Sequence, residues 1–260
     1  MNEGKIVIVE GTSCVGKTTL CEELKKLGWI VLPEAIRYLE QETGKSGDEA
    51  SPIPGSQEEE EYYQDQLFRI EKQKILEANK LKKQGKKVII DKSAIATVAT
   101  AKAFEEPKGF NGTFKRAYMK YCEMLQELKN EGLIECDVFL LLTADYNTIC
   151  ERNKTRNHIL EGIWLEEKTI VSQREVLEKM TDEIVGSISK NTIKKKILDT
   201  SSLTKKEVLD EFNELLNNWE RNELEIEKGD TNDRFTYTYK LFRWYMEFKK
   251  NIRRSRKDKY

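Results

Sequence analysis

Five short apolar runs punctuate the chain: Ile6 to Val9, Trp29 to Leu32, Val88 to Asp91, Asp137 to Leu142 and Lys196 to Thr200. The first, Ile6 to Val9, is short, apolar and β-branched, as expected of a strand buried on both faces of a parallel sheet. Between these runs, apolar residues recur every three or four positions. Leu20, Leu24 and Leu27 mark a helix over 17–27, and Tyr62, Tyr63, Leu67, Ile70, Leu76 and Leu81 mark one over 58–83. Phe114, Ala117, Tyr118, Tyr121, Leu125 and Leu128 mark a third over 113–131, and the same period returns in 165–185 and through Leu209, Phe212, Leu215, Leu216 and Trp219. Strands alternating with helices predict an α/β fold, a five-stranded parallel sheet flanked by helices on both faces.

The breaks are as informative. Residues 41–57 carry Gly44, Gly47, Pro52, Pro54 and Gly55 and predict a loop; Pro107 to Gly112 predicts a second. After the fourth strand, a helix through Tyr146, Ile149 and Cys150 brings up Arg152, Lys154 and Arg156, which cannot share one helical face. The helix is therefore expected to give way to a basic loop, 153–162, a candidate lid. The acidic run Glu58 to Glu61 suits the positive end of a helix and reads as a solvated helix start rather than a metal site.

The chain has 260 residues, with 45 basic against 46 acidic side chains, so no overall field favours nucleic acid or membrane. The five cysteines (Cys14, Cys21, Cys122, Cys136, Cys150) include no C-x-x-C pair, and His158 is the only histidine, which argues against a disulfide framework and a zinc centre. The first residues lack the apolar core of a signal peptide and no stretch reaches the ~20 apolar residues of a membrane span. A soluble, cytoplasmic protein with no membrane partner is expected.

The chemistry is concentrated at strand ends. Directly after the first strand, Gly11-x-x-x-x-Gly16-Lys17-Thr18 fits the phosphate-loop pattern, in which backbone N–H groups curl around phosphate oxygens at a helix N-terminus. Gly11, Thr12, Ser13, Cys14, Val15, Gly16, Lys17, Thr18 and Thr19 are thus the predicted nucleotide-binding residues, with Lys17 on the β- and γ-phosphates and the Thr18 hydroxyl on Mg²⁺. ATP and Mg²⁺ are the expected cofactors. Ligands of open parallel sheets sit beyond the carboxyl ends of the strands, where Glu34 follows the second strand and Asp91, Lys92 and Ser93 follow the third. Asp91 has the apolar-run-then-Asp form of a magnesium site.

With these motifs in place, residues 4 to 220 resemble the deoxynucleoside kinase and thymidylate kinase superfamily, the deoxynucleoside kinase branch most closely. The resemblance rests on the phosphate loop, Pro33-Glu34, Asp91-Lys92-Ser93, the Arg152 to Arg156 loop and the Gly162-Ile163-Trp164-Leu165-Glu166 stretch after it. It implies an ATP-dependent kinase acting on the 5′-hydroxyl of a deoxynucleoside, with Glu34 as the base and Asp91 on magnesium. It further implies that Lys17, Lys92, Arg152 and Arg156 offset charge on the moving phosphoryl group. Substrate contacts would come from Glu34, Arg37, Asp91 and the 58–83 helix, through Tyr63, Gln64, Gln66 or Arg69. Two positions depart from the family: Ala35 follows Glu34 where proline is usual, and Lys92 replaces an arginine, losing its bidentate fork. Family members are commonly homodimers, and the aromatic stripe of the 113–131 helix reads either as core or as the dimer contact face.

One alternative is a thymidylate-type nucleoside monophosphate kinase, whose acceptor is already ionised and needs no base. Another is a nucleotide-dependent nucleic-acid-binding protein. It is suggested by residues 222–260, where Phe235, Tyr237, Tyr239, Trp244 and Phe248 precede the basic run Lys249 to Lys259. The preferred reading of that segment is a helical, basic C-terminal extension to a kinase domain spanning 1–221.

Overall fold

The structure, a computed structural model, describes residues 4–46, 52–156, 159–183 and 193–223. The C-terminal extension predicted from 222 thus lies outside the described residues beyond 223, as do Asn157 and His158 of the predicted lid. The described residues up to Trp219 belong to one compact unit.

Strands β1 (Lys5–Glu10), β2 (Ile30–Leu32), β3 (Lys87–Asp91), β4 (Val138–Thr143) and β5 (Lys194–Asp199) form a single sheet in the order β2-β3-β1-β4-β5, every pairing parallel. The helices are α1 (Lys17–Lys26), α2 (Ala35–Thr43), α3 (Gln57–Lys83), α4 (Ala94–Lys108), α5 (Thr113–Asn130), α6 (Tyr146–Lys154), α7 (Glu167–Glu183) and α8 (Lys205–Glu223). β1 is buried throughout, which explains its unbroken apolar run. Val7 and Val9 face a core made with Leu20 and Leu24 of α1 and Phe212 of α8, where Trp29 meets Phe212 edge to face at 5.7 Å. On the other side α3 packs on β1 and β3, and α7 packs on β4 and β5. β1 lies between β3 and β4 with Val9 opposite Asp91, so the phosphate loop emerges beside the end of β3.

Four expectations need correction. The predicted loop from Gln41 starts late, because the nine-residue α2 fills 35–43 and ends at Gly44 in the left-handed region, φ 70°. Only Ala35 and Leu39 of α2 are buried, too few to give a period. The predicted loop from Pro107 to Gly112 starts two residues late, because Pro107 and Lys108 end α4, which is capped by Gly109, φ 71°; a proline this close to a C-terminus removes one hydrogen bond and leaves the rest of the helix intact. α6 continues to Lys154, which places Arg152 in its last turn and leaves Arg156 in the loop. The inward face of α3 is also rotated from the apolar stripe: Tyr62 is 61% exposed, whereas Gln64, Glu71, Lys74 and Asn79 are buried with Phe68, Ile70 and Ile75. These polar side chains are hydrogen-bonded inside, as burial requires.

Phe114, Ala117, Tyr118, Tyr121, Leu125 and Leu128 of α5 are buried within the unit, against α3 and α4. They are spent on the core, so this aromatic face is not available to a second copy. No helix among the described residues is long and apolar enough to cross a membrane.

Tyr121 donates to Glu135 at 2.8 Å, and both side chains are buried. Burial pushes the Glu135 carboxyl up to about 7, against the lowering effect of that hydrogen bond. A carboxyl whose folded pKa is raised favours the folded state while protonated, so stability falls as pH rises from its unfolded value of ~4.3 toward that folded value. Glu135→Gln should remove that slope and raise the melting temperature at pH 8, by an amount worth about 1–3 kcal/mol, with little change at pH 4. Thermal melts of both proteins across this range check the sign.

Candidate active site

The phosphate loop is shaped by residues at unusual backbone angles. Gly11 has φ 147°, Cys14 φ 64° and Gly16 φ 102°, and Gly16 opens α1 with no side chain capping the helix. The first N–H groups of α1 have no intrahelical partners and carry the positive end of the dipole, which makes the loop an anion site. A Cβ at Gly11 would stand 2.3 Å from the Leu142 carbonyl oxygen and 2.8 Å from Val15 Cγ2, which rules out any side chain there. Gly11→Ala is expected to destabilise the protein by about 3 kcal/mol, lowering its melting temperature by roughly 5–10 °C, as a thermal melt would show.

Glu10, the last residue of β1, is the fastener beneath the loop. Its Oε1 accepts from the Gly11 N–H at 2.9 Å, and its Oε2 accepts from the Ser93 N–H at 2.8 Å and the Ser93 hydroxyl at 2.9 Å. One carboxylate thus ties the phosphate loop to the segment after β3. Its burial raises its pKa, partly offset by these donors and by Lys17.

Four of the residues expected from the sequence converge at the ends of β1, β2 and β3. Lys17 is buried and its ammonium donates to the Thr12 carbonyl at 2.6 Å. Burial and the neighbouring Lys92 lower its pKa, against the pull of Glu34, Asp91 and Glu10. Lys92 donates to Glu34 Oε2 at 2.8 Å. Burial pushes the Glu34 carboxyl up, but Lys92 and Lys17 outweigh it and hold the group well below the usual range. Asp91 goes the other way, raised by burial and by the charge of Glu34. Its Oδ1 is buried without a hydrogen-bond partner. Such an orphaned acceptor, on a carboxylate that interacts with the charge of Lys17 at the start of α1, suits a hard cation with oxygen ligands.

The two arginines of the predicted lid touch the phosphate loop. Arg152 donates to the Thr200 hydroxyl and carbonyl at 2.9 and 2.6 Å and to the Cys14 carbonyl at 3.4 Å, and Arg156 donates to Cys14 Sγ at 3.4 Å. Arg37 lies one turn from Glu34, whose carbonyl accepts its N–H, and its guanidinium is paired with Glu40.

The predicted base-contacting residues do not join this cluster. Arg69 is paired with Glu42 at the far end of α2, with Gln66 beside it at 3.4 Å. Gln64 is buried between Glu60 and Arg116, and Tyr63 stacks edge-on against Tyr62. Glu10, Thr200 and the buried pair Glu71 and Lys74 are not among the residues expected from the sequence. Only a charged residue ending an apolar strand, and an i,i+3 Glu-Lys spacing, could have flagged three of them.

A family model described as AAA domain matches residues 5–161. No curated protein matches the chain. Among solved structures, the chain is similar to thymidylate kinase from Candida albicans, with a TM-score of 0.56 at 17% identity over 89% of this chain and 96% of that one. It is also similar to deoxyadenosine kinase from M. mycoides in a structure with bound dATP, with a TM-score of 0.55 at 17% identity over 82% of this chain and 99% of that one. At such identities the likeness establishes the fold, that of the P-loop kinases.

Proposed function

Because the chain belongs to the AAA domain family and carries the P-loop kinase fold, we propose that it transfers the γ-phosphate of ATP to the 5′-hydroxyl of a deoxynucleoside. The observation that carries this reading is the position of Glu34, an ionised carboxylate at the end of β2 held by Lys92 beside Lys17 and Asp91. A carboxylate there has work to do when the acceptor brings a proton, as a hydroxyl does, and none when the acceptor is already a phosphate.

Phosphoryl transfer needs little covalent help from the protein, so positioning and charge supply most of the rate. The uncapped start of α1 and the loop N–H groups would receive the β- and γ-phosphates. Lys17 and Lys92 would turn from Thr12 and Glu34 toward phosphate oxygens, for which they are stronger partners. That exchange removes what depresses Glu34, so its basicity rises when the donor is bound and it can accept the hydroxyl proton. Thr18 and Asp91 would hold Mg²⁺, which when bound neutralises phosphate charge. Arg152 and Arg156 are poised to leave Cys14 and Thr200 and close over the transferring group, excluding water.

ADP release measured with each deoxynucleoside and with its 5′-deoxy counterpart tests the reading. Turnover that requires the 5′-hydroxyl supports it. Equal ADP release with both, or turnover with monophosphates alone, overturns it in favour of an ATPase or a nucleoside monophosphate kinase respectively.

A further inference from the structure

Beneath the end of β3 lies a buried ion pair that the proposed reaction does not use. Lys74 and Glu71, both from the inner face of α3, are 3.0 Å apart with side chains almost fully buried. An ion pair of this kind contributes little to stability by itself, because desolvation offsets its attraction. Its other contacts explain it better. The Lys74 ammonium also donates to the carbonyls of Asp91 and Lys92, each at 3.0 Å. All three of its donors are thereby used, one on the carboxylate that balances its charge and two on consecutive backbone oxygens.

Those two carbonyls flank a strained residue. Lys92 has φ 57°, a left-handed conformation that a residue with a Cβ adopts at a cost of roughly 1–2 kcal/mol. Such strain persists where the surroundings over-determine it. Here the Lys92 N–H is held by the Val9 carbonyl at 3.0 Å, the next residue by Glu10, and the two carbonyls by Lys74. The strain has a geometric product. Successive side chains of a strand point to opposite faces, whereas after the left-handed turn the Lys92 ammonium reaches Glu34 Oε2 at 2.8 Å, just past the end of β2.

We infer that Lys74 is a positioning residue for the proposed reaction: by gripping the Asp91 and Lys92 carbonyls it fixes the left-handed turn that sets the Lys92 ammonium on Glu34. Glu71 supplies the counter-charge that lets an ammonium stay buried at that point. The structural half of this inference stands on the geometry alone, and the catalytic half rests on the kinase reading. A lysine at 92 makes the turn consequential, since a single ammonium has one point of contact where a guanidinium fork would have several.

The test is the double variant Lys74→Met/Glu71→Gln, which removes the grip without leaving a buried charge unpaired. If it does not fold, Lys74→Gln takes its place: the shorter amide can still hydrogen-bond Glu71 but cannot reach both carbonyls. A crystal structure of the variant reads the Lys92 φ and the Lys92 to Glu34 distance, and kinetics read kcat for the nucleoside apart from KM for ATP. Expected are a Lys92 that has left the left-handed region and parted from Glu34, a kcat lower by about 10- to 100-fold, and a KM for ATP within about twofold of wild type. An unchanged Lys92 φ and an intact contact to Glu34 would overturn the inference whatever the rate. A displaced Lys92 with unchanged kcat would overturn the catalytic half. If wild type phosphorylates no nucleoside, the kinase reading fails by itself, and the crystal structure still decides whether Lys74 sets Lys92.

Discussion

Lys17→Ala should lower the rate of phosphate transfer by about 10²–10³-fold, the loss that follows removal of one preorganised donor to a developing negative charge. The effect should be large because nothing nearby can replace it. Lys92 already has its own place on the phosphate oxygens in the proposed reaction, and Lys74 spends its three donors below β3. The fold should survive. The Lys17 ammonium is buried, with burial the largest influence lowering its pKa, so the free protein gives up an ion that is costly to hold. The cleanest readout is the rise in melting temperature that ATP and Mg²⁺ give to wild type, since ligand stabilisation follows RT ln(1 + [L]/Kd). Lys17→Ala should melt near wild type without nucleotide and lose most of that rise.

Glu34→Gln should reduce kcat with a deoxynucleoside by about 10³-fold, within the range expected for a general base, while KM for ATP stays close to wild type. The amide keeps the shape and can accept a hydrogen bond from Lys92, but it cannot take a proton. Stability gives an independent check with a definite sign. The Glu34 pKa is depressed in the folded protein, so the pairing with Lys92 stabilises the fold above the unfolded carboxylate pKa and ceases to do so as pH falls through the folded value. Wild type should therefore melt above Glu34→Gln at pH 7, and the two should converge in acid. Steady-state kinetics with each acceptor and melts across pH measure both effects.

The parts of this site legible in the sequence are those in which chemistry is local to a strand end. A buried parallel strand must be apolar throughout, so the first polar residues after it mark the edge where ligands bind. Gly11 to Thr18, Glu34 and Asp91 were found in that way, and the register of Val9 with Asp91 brings two of these ends side by side. What remained hidden depends on contacts across the chain. Glu10 reaches Ser93 over 83 positions, and Lys74 reaches the Asp91 and Lys92 carbonyls from the middle of a helix. α3 also misled by its composition. Its inner face holds Gln64, Glu71 and Lys74 because each has a buried partner, whereas Tyr62, which fits the apolar stripe, faces solvent. The base contacts implied by the family resemblance on this helix are engaged within the chain, Gln64 by Glu60 and Arg116 and Arg69 by Glu42.

Lys17, Glu34, Asp91 and Lys92 together are expected to deliver a γ-phosphate to a hydroxyl. The most direct measurement follows the label from γ-³²P-ATP, with Mg²⁺ and an equimolar mixture of deoxynucleosides and their monophosphates, and identifies the labelled product. Label is expected in deoxynucleoside 5′-monophosphate. Label only in diphosphates, or only in inorganic phosphate, would contradict it.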